Sequence, residues 1–578
     1  MVYEMTARNA DVAAVFQEIA DLLEIKGDNP FRSRAYRNAA LSIEGMGEEL
    51  TNFLEKDGQL QSLPGIGPDL ENKILEILET GTCQVLEKLH RQIPVSLRDF
   101  LNISGLGPKR TGKIYRTLGI KTIDELLQAA HDGRLRKISG FGIKTEQHIL
   151  KNATEMVKTG QRFTQMVAAE QARILVDDLK QVPGVDQVVV AGSYRRCRET
   201  VGDLDILVTC DEENRVMEHF VTGPEVEEIV LHGETRATVR LHSNMQVDLR
   251  LVSQHCFGAA LQYFTGSKAH NILIRRLGIQ QGLKINEYGV FKGEEQIAGG
   301  SESSVYQAVG LEWIPPELRE GGDEIEAARH HGLPDLVDLS DLRGDLHLHT
   351  RYSDGHADIE DMARAAMTRG YQYIAITDHS RRLRVAHGLN AYRLRQQGEK
   401  IDDLNEKLRG ITIFKGIEVD ILEDGELDLP DDVLGELDLV VGAVHSHFNL
   451  SRDKQTTRIL KAMDHPHFSI LAHPTGRLIN KREPYALDMS AVIHKARERG
   501  CFLELNANPE RLDIKDVYCR AVRKEKVLIS INSDSHTISH LENLKFGIGQ
   551  ARRGWLEKKD VLNTRPLKTL QKLLRQTM

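Results

Sequence analysis

The spacing of apolar and polar positions divides the chain into three regimes. Over residues 1–158 apolar residues recur at helical intervals. Val12, Val15, Phe16, Ile19, Ala20 and Leu23 share one face of a helix over 10–23, and 31–40 begins a second helix with a basic face. From 159 a helical stretch, 163–179, gives way to short β-branched or alternating runs at 188–191, 202–208, 239–241 and 245–251, then to a small β element near 284–291. Beyond 343 short apolar runs (374–376, 411–414, 439–441, 470–472, 502–505 and 527–531) alternate with helical stretches such as 358–369 and 489–499. Repeated strand–helix units predict a parallel sheet, here closed as a barrel.

Between 317 and 341 eight acidic residues face two basic ones, with Gly321-Gly322 and Gly332-Leu333-Pro334, so 317–342 is expected to be a linker. His330 and His331 within it are expected to be solvated. The remaining divisions are 1–84 and 85–158 (helical), 159–255 (α/β), 256–316 (mixed) and 343–578 (barrel), in keeping with about 150 residues per folding unit. Apolar content of 40% and charged content of 28% are those of a soluble globular protein. The net charge of −9 excludes a uniformly basic nucleic-acid coat but leaves room for local patches. Six cysteines without C-x-x-C spacing argue against a disulfide framework or a zinc ribbon. No apolar run reaches ~18 residues and no signal-like core opens the chain, so a cytoplasmic protein with no membrane contact is expected.

Chemistry-bearing residues cluster in each regime. In the first, Leu63-Pro64-Gly65-Ile66-Gly67-Pro68, Ile103-Ser104-Gly105-Leu106-Gly107-Pro108 and Ile138-Ser139-Gly140-Phe141-Gly142-Ile143 are echoes of one motif. Each pairs an apolar lead-in with G-x-G and a following helix, whose free N–H groups suit a phosphate. In the second, Gly192-Ser193-Tyr194-Arg195-Arg196 follows an apolar strand, and Gly202 opens another strand carrying Asp203 and Asp205. Alternate strand residues share a face, and paired carboxylates beside a Gly-Ser turn suit Mg²⁺ ions that bridge to phosphates. Asp248, in the alternating 245–251 run, offers a third carboxylate.

In the third regime, competent ligands fall at strand C-terminal ends, where barrel active sites are built. They are Asp345-Leu346-His347-Leu348-His349, Ser353-Asp354, Asp378-His379, Glu418, His445, His473 and Asp534-Ser535-His536. Six imidazoles, two aspartates and a glutamate suit Zn²⁺, Mn²⁺ or Fe²⁺ better than Mg²⁺ alone, and nine ligands exceed one ion's needs. A cluster of two to three ions is expected. His447 could share the face of His445.

The 192–208 run resembles the catalytic motif of the nucleotidyltransferase superfamily, in particular the family X DNA polymerases typified by polymerase β. Tyr263-Phe264-Thr265-Gly266-Ser267 and Asn271 match that family's nucleotide pocket, and Arg275 its template-contacting arginine. The resemblance implies that Asp203 and Asp205 hold two Mg²⁺ ions, that Asp248 holds the ion beside the primer 3′-hydroxyl, and that Gly192, Ser193, Arg196 and Gly202 cradle a triphosphate. Gln246 stands where polymerase β has an arginine supporting the carboxylates. The G-x-G echoes resemble helix-hairpin-helix motifs, with Gly65, Gly67, Gly105, Gly107, Gly140 and Gly142 against DNA backbone. Lys73 and Tyr36 match a polymerase β-type lyase pocket, although Asp69 and Arg32 stand where lysines are usual. Residues from 343 to about 575 resemble the PHP (polymerase and histidinol phosphatase) domain. Its ligand set would be His347, His349, Asp354, His379, Glu418, His445, His473, Asp534 and His536.

The whole chain is similar to bacterial family X polymerases with a C-terminal PHP domain. The fold expected is multidomain α/β: helix-hairpin-helix domains, a nucleotidyltransferase palm with a mixed sheet, a thumb-like subdomain and a PHP distorted (β/α)7 barrel. The resemblance implies gap filling on gapped or nicked DNA with deoxynucleoside triphosphates, in DNA repair, by a monomer. It also implies a metal-dependent 3′–5′ exonuclease, with abasic-site endonuclease, 3′-phosphatase and weak lyase activities as further options. A DNA-end scaffold with a vestigial site, or a PHP half acting on small phosphate esters, are the alternatives.

Overall fold

The computed structural model describes residues 9–44, 50, 54, 59–63, 65–103, 105–159, 162–210 and 213–578; Pro64 and Ser104 of the glycine motifs lie outside the described residues. The chain forms two compact units, Met1–Gln161 and Arg162–Met578. Among the described residues no helix is long and apolar enough to cross a membrane.

The first unit is helical: α1 (Asn9–Lys26), α2 (Pro30–Glu44), α3 (Pro68–Thr80), α4 (Gln84–Gln92), α5 (Pro108–Leu118), α6 (Ile123–His131) and α7 (Ile143–Thr159). The expected apolar face of α1 is the centre of its core: Val12, Phe16, Ile19 and Leu23 are buried against Ile43, Ile74, Ile77 and Leu89. The glycine motifs start three of these helices by one device. Gly65, Gly105 and Gly140 take positive φ, which a side chain would disfavour. Gly67 and Gly107 are extended N-caps, each followed by proline at the first helical position, where a missing N–H costs nothing.

The second unit begins with a palm. Helix α8 (Gln165–Leu179) packs on a five-stranded sheet of β1 (Val185–Val190), β2 (Asp203–Cys210), β3 (Val226–His232), β4 (Arg236–Leu241) and β5 (Gln246–Leu251). The sheet order is β1-β2-β5-β4-β3. Only β2 and β5 run parallel, and their register pairs Asp205 with Asp248. The mixed sheet is as expected, and that single parallel pairing brings the carboxylates together. Helix α9 (Gly192–Arg195) lies between β1 and β2; α10 (Phe257–Thr265), α11 (Lys268–Gln280) and α12 (Glu302–Ala308) follow the sheet, with a three-stranded sheet of β6 (Lys284–Asn286), β7 (Gly289–Lys292) and β8 (Glu295–Ala298).

Residues 317–342, expected to be a linker, are ordered and packed. They include a 3-10 turn at Pro316–Leu318 and a helix at Glu324–Arg329, with Arg319 and Glu324 fully buried. Their acidic residues are partners for arginines of the C-terminal region: Glu317 with Arg552 (2.7 Å), Glu320 with Arg553 (2.8 Å) and Asp323 with Arg520 (2.5 Å). The charge run is thus one side of an interface. His330 and His331 are exposed, beside Glu326 and Glu312.

The C-terminal region is a parallel sheet of β9 (Gly344–Leu348), β10 (Tyr373–Ile376), β11 (Thr412–Asp420), β12 (Leu439–Ala443), β13 (Ile470–Leu471), β14 (Phe502–Asn506) and β15 (Ile529–Asn532), paired in sequence order. A bridge from Leu348 to Ser535 brings its two ends together, so the barrel is nearly closed. The strands are largely buried on both faces, as parallel strands under helices are, and their polar residues (Asp345, His347, Glu418, Glu504, Asn532) are buried with them. Ile374 and Ile376 join a core with the surrounding helices, whereas Tyr373 and Ala375 join a separate interior cluster plugged by Leu570 and Leu574.

Candidate active sites

In the palm, Asp203 and Asp205 project from the start of β2, and Asp248 lies beside Asp205 across the parallel pair. Gly192 has φ of 64°, and a Cβ there would collide with the Asp205 carboxylate, so only glycine lets the turn approach the acids. Loss of solvent, then the charges of Asp203 and Asp248, push the Asp205 pKa up to about 7; Asp203 is raised by loss of solvent and by Asp248. Three convergent carboxylates that resist ionising together fit divalent cations. Asp248 is held by donors from three positions. Arg236 Nη2 and Thr238 Oγ1 donate to Oδ1 at 3.1 and 2.5 Å, and Gln246 Nε2 donates to Oδ2 at 3.1 Å. Gln246 therefore supports the carboxylate directly, with Arg236 supplying a guanidinium from the neighbouring strand. Sequence reading missed Arg236 and Thr238, although both lie on the alternating strand antiparallel to Asp248.

A cavity of about 550 Å³ adjoins the acids, lined by Gly192, Ser193, Arg196, Asp203, Asp205, Tyr263, Phe264, Gly266, Lys268, Asn271 and Arg275 among others. The expected pocket residues therefore meet, with the exception of Gly202, which is not part of this lining and stands beside Arg162. Asn271 Nδ2 donates to the Tyr263 carbonyl (2.7 Å), and the Arg275 guanidinium lies 4.9 Å from the Tyr263 ring centre. The adjacent arginines divide their work. Arg195 forms a paired ion bridge to Glu302 at 2.8 Å, whereas Arg196 faces the cavity, donates to the Thr265 carbonyl and pairs with Glu320 (3.2 Å). Glu320 in turn pairs with Arg553, whose Nη1 also donates to the Arg196 carbonyl at 2.9 Å. The arginine that faces the cavity is thus braced from the barrel.

At the barrel mouth the expected ligands converge. The ligand atoms of His349, Asp354, His379 and His536 lie within 4.8 Å of one another, as do those of His347, His349 and Asp534, and those of His379, Glu418 and His445. His473 stands outside these groups, but its Nε2 is 3.0 Å from Glu418 Oε1. Glu418 is the hub: its Oε2 is 2.8 Å from His379 Nδ1 and 3.4 Å from His347 Nε2, and its Oε1 is 3.3 Å from His445 Nε2. His347 Nε2, both ring nitrogens of His349, His379 Nδ1 and Glu418 Oε2 are buried and, although close to one another, make no well-directed hydrogen bond. Orphaned buried donors and acceptors on one centre are costly unless a cation takes them up, so the residues present fit metal ions. His447 is exposed on the loop, 3.7 Å from Glu423, and does not join the centre.

Carboxylates behind the imidazoles orient them. His347 Nδ1 lies 2.7 Å from Glu504 Oε1, and His445 Nδ1 lies 2.6 Å from Asp420 Oδ1, which leaves each Nε2 facing the centre. Burial lowers the His445 pKa, but Glu418 and Asp420 outweigh it and raise it to about 9. Burial, then the neighbouring His536 and His379 charges, press His349 down to about 3. Burial raises the Glu418 pKa, but His379, His347 and His445 drive it well below the usual range. Asp378 accepts from Thr350 N, Thr350 Oγ1 and Gln397 Nε2 at 2.6–2.7 Å, bracing the turn that presents Asp354. Asp534, with φ of 53°, and His473, with φ of 26°, hold backbone strain at two of the expected ligand positions. Glu504, Asp420 and Asp378 were missed as orienting groups. A carboxylate inside an apolar strand, as in Phe502-Leu503-Glu504-Leu505, was the available signal.

In the first unit, hairpins two and three carry exposed Lys109, Arg110 and Lys144 after their glycines, whereas the first carries Asp69 and Glu71 in its opening helical turn. Lys73 is buried, with its ammonium 2.5 Å from Asp69 Oδ1 and 3.0 Å from the Asp69 carbonyl.

A two-acid strand paired in parallel with a third acid, over a glycine turn and a cavity, defines a nucleotidyltransferase; here it is joined to a metal-dependent phosphoesterase barrel. Family models agree along the chain: a helix-hairpin-helix domain over residues 7–83, a SAM-like helix-hairpin-helix tandem over 97–155, the DNA polymerase beta palm over 164–278, the DNA polymerase beta thumb over 260–320 and the PHP domain over 345–534. The DNA polymerase/3′-5′ exonuclease PolX of Bacillus subtilis (strain 168) is 40% identical over 98% of this chain and 99% of its own length. A probable phosphatase of Thermoanaerobacter sp. is 31% identical over 38% of this chain and 89% of its own. The chain belongs to the PolX family, the family X DNA polymerases that carry a PHP domain.

Proposed function

We infer that this protein is a DNA-directed DNA polymerase that fills short gaps during repair, and that its PHP barrel is a 3′–5′ exonuclease on the same class of substrate. The observation that carries the polymerase reading is the parallel register setting Asp248 beside Asp205. Two Mg²⁺ ions held by Asp203, Asp205 and Asp248 would supply neutralising charge and a clamp for in-line phosphoryl transfer. Asp248, fixed by Arg236, Thr238 and Gln246, stands to take the proton of the primer 3′-hydroxyl. Arg196 and the N–H groups at Gly192 and Ser193 orient the triphosphate, with Tyr263, Phe264 and Asn271 at the sugar and base. Deoxynucleoside triphosphates and gapped or nicked DNA are the substrates. Hairpins two and three bind DNA backbone through helix N-termini and the cations beside them, while acidic residues weaken that role for hairpin one. Lys73 is assigned no lyase step, because its ammonium is used within its own helix.

At the barrel, a cluster of two to three Mn²⁺ or Zn²⁺ ions on the histidine-rich centre would supply the nucleophile and stabilise charge in phosphodiester hydrolysis. Glu504 and Asp420 fix the imidazoles that hold it. The kinship of the barrel alone to a probable phosphatase favours a second activity on 3′-phosphate ends. The protein is expected to act as a cytoplasmic monomer. Primer extension on gapped DNA should be lost in Asp248→Ala and 3′–5′ degradation in His347→Ala. Degradation that survives His347→Ala would overturn the nuclease assignment, and extension that survives Asp248→Ala would overturn the polymerase site.

A further inference from the structure

The barrel mouth has a side chamber that the metal centre does not use. The loop after β12 carries His445 and continues through His447, Phe448 and Asn449; the loop after β13 carries His473 and continues to Arg482, Pro484 and Tyr485. These two segments enclose a cavity of about 510 Å³, a size typical of small-molecule pockets. Tyr485 Oη donates to the carbonyl of Pro474, next to His473, at 2.6 Å, so one wall is fastened directly to the ligand loop. The Phe448 and Tyr485 rings are stacked, with planes 16° apart and centres separated by 6.1 Å, and the Arg482 guanidinium lies 4.2 Å from the Phe448 ring centre.

The chamber is also cationic. Arg482 Nε donates to the Gly476 carbonyl at 2.9 Å, and no carboxylate pairs with Arg482 among the described residues. Burial, then the neighbouring Arg511 charge, lower the Arg482 pKa. Arg511 Nε is 3.6 Å from Oδ2 of the ligand Asp534, so the guanidinium pair leads from the metal centre to the aromatic stack. Glu483 also lines the cavity, with its side chain exposed. A base that offers a flat π-face is matched by a guanidinium and aromatic rings, and a phosphate by two guanidiniums. An isolated phosphate ester would have no use for the stack.

We propose that this chamber is the subsite for the terminal nucleoside of a DNA 3′ end, with the base on the Arg482 guanidinium that Phe448 backs and the adjoining phosphate between Arg511 and the metal centre. The proposal rests on the nuclease reading of the barrel and specifies what it recognises. It is tested on the full chain in manganese with two esters that share a leaving group, thymidine 5′-(p-nitrophenyl phosphate) and methyl p-nitrophenyl phosphate. The ratio of their kcat/KM values measures recognition of the nucleoside and cancels any general loss of folded enzyme. In Phe448→Ala and, independently, in Arg482→Gln that ratio should fall roughly tenfold, the scale of one lost base-stacking contact, with KM for single-nucleotide removal from an oligonucleotide rising in parallel. An unchanged ratio in both variants overturns the subsite. If DNA degradation is meanwhile still abolished by His347→Ala, the nuclease reading stands without it. Wild-type protein that shows no preference for the thymidine ester overturns the subsite as well.

Discussion

Acidification should release magnesium from the palm through Asp205. This carboxylate is pressed between Gly192 and two other acids, and in the metal-free protein its pKa stands at about 7 because of lost solvent and the Asp203 and Asp248 charges. A raised carboxylate is protonated below its pKa, and the proton must leave before a cation can bind, so affinity rises with pH through 7 and levels off above. The ionised fraction is about 0.9 at pH 8 and about 0.1 at pH 6, which makes the apparent Kd for Mg²⁺ about tenfold weaker at the lower pH. Close to one proton should be released per ion bound near pH 6 and almost none at pH 8. Isothermal titration of Mg²⁺ into DNA-free protein, in buffers of different ionisation enthalpy, reads both quantities. Asp205→Asn separates this site from the barrel, because its own proton release near pH 6 should disappear. Equal affinity at the two pH values in wild type, or proton release in Asp205→Asn equal to that of wild type, would refute the reasoning.

Other consequences can be checked singly. Glu504→Gln should cut retention of barrel metals roughly 10–100-fold, measured as metal content after dialysis against a chelator, because His347 loses the carboxylate that fixes its tautomer; unchanged retention would dismiss that role. Arg553→Met strands Asp516, leaves Glu320 to Arg196 and Arg198, and removes the donor to the Arg196 carbonyl, so KM for the incoming nucleotide should rise several-fold with a smaller change in kcat. Denaturant unfolding of that variant should show a loss of about 3 kcal/mol, and a KM equal to wild type would argue against bracing from the barrel. Borohydride trapping on abasic-site DNA should be no weaker in Lys73→Ala than in wild type; a trapped species that vanishes in the variant would restore Lys73 as the nucleophile.

Charge runs and single ligand assignments were the least legible parts of the chain. The acidic 317–341 stretch reads as a linker because composition counts charges without their partners. Those partners, Arg520, Arg552 and Arg553, are 197, 235 and 233 residues away in sequence. His447 and His445 alternate as ligands sharing a strand face would. The strand ends at Ala443, and the positive φ of His447 turns it from the centre. Gln246 looks like a weakened position until Arg236 is seen to donate to the same carboxylate from the adjacent strand.

By itself the sequence determined which residues could do chemistry and on which elements they ride. Periodicity marks the core face of α1 and the alternating strands, glycine marks the turns that need positive φ, and the paired Asp203 and Asp205 share a face through strand geometry alone. These are local properties, written within a few residues. Only the tertiary structure decided that Asp248 stands in register with Asp205, that Glu418 is the hub of the barrel centre, that Glu504 and Asp420 orient its imidazoles, and that Glu320 and Arg553 tie Arg196 to the barrel. Each of those is a pairing between distant segments. Register, burial and the desolvation that shifts a carboxylate to about 7 exist only once the segments have packed.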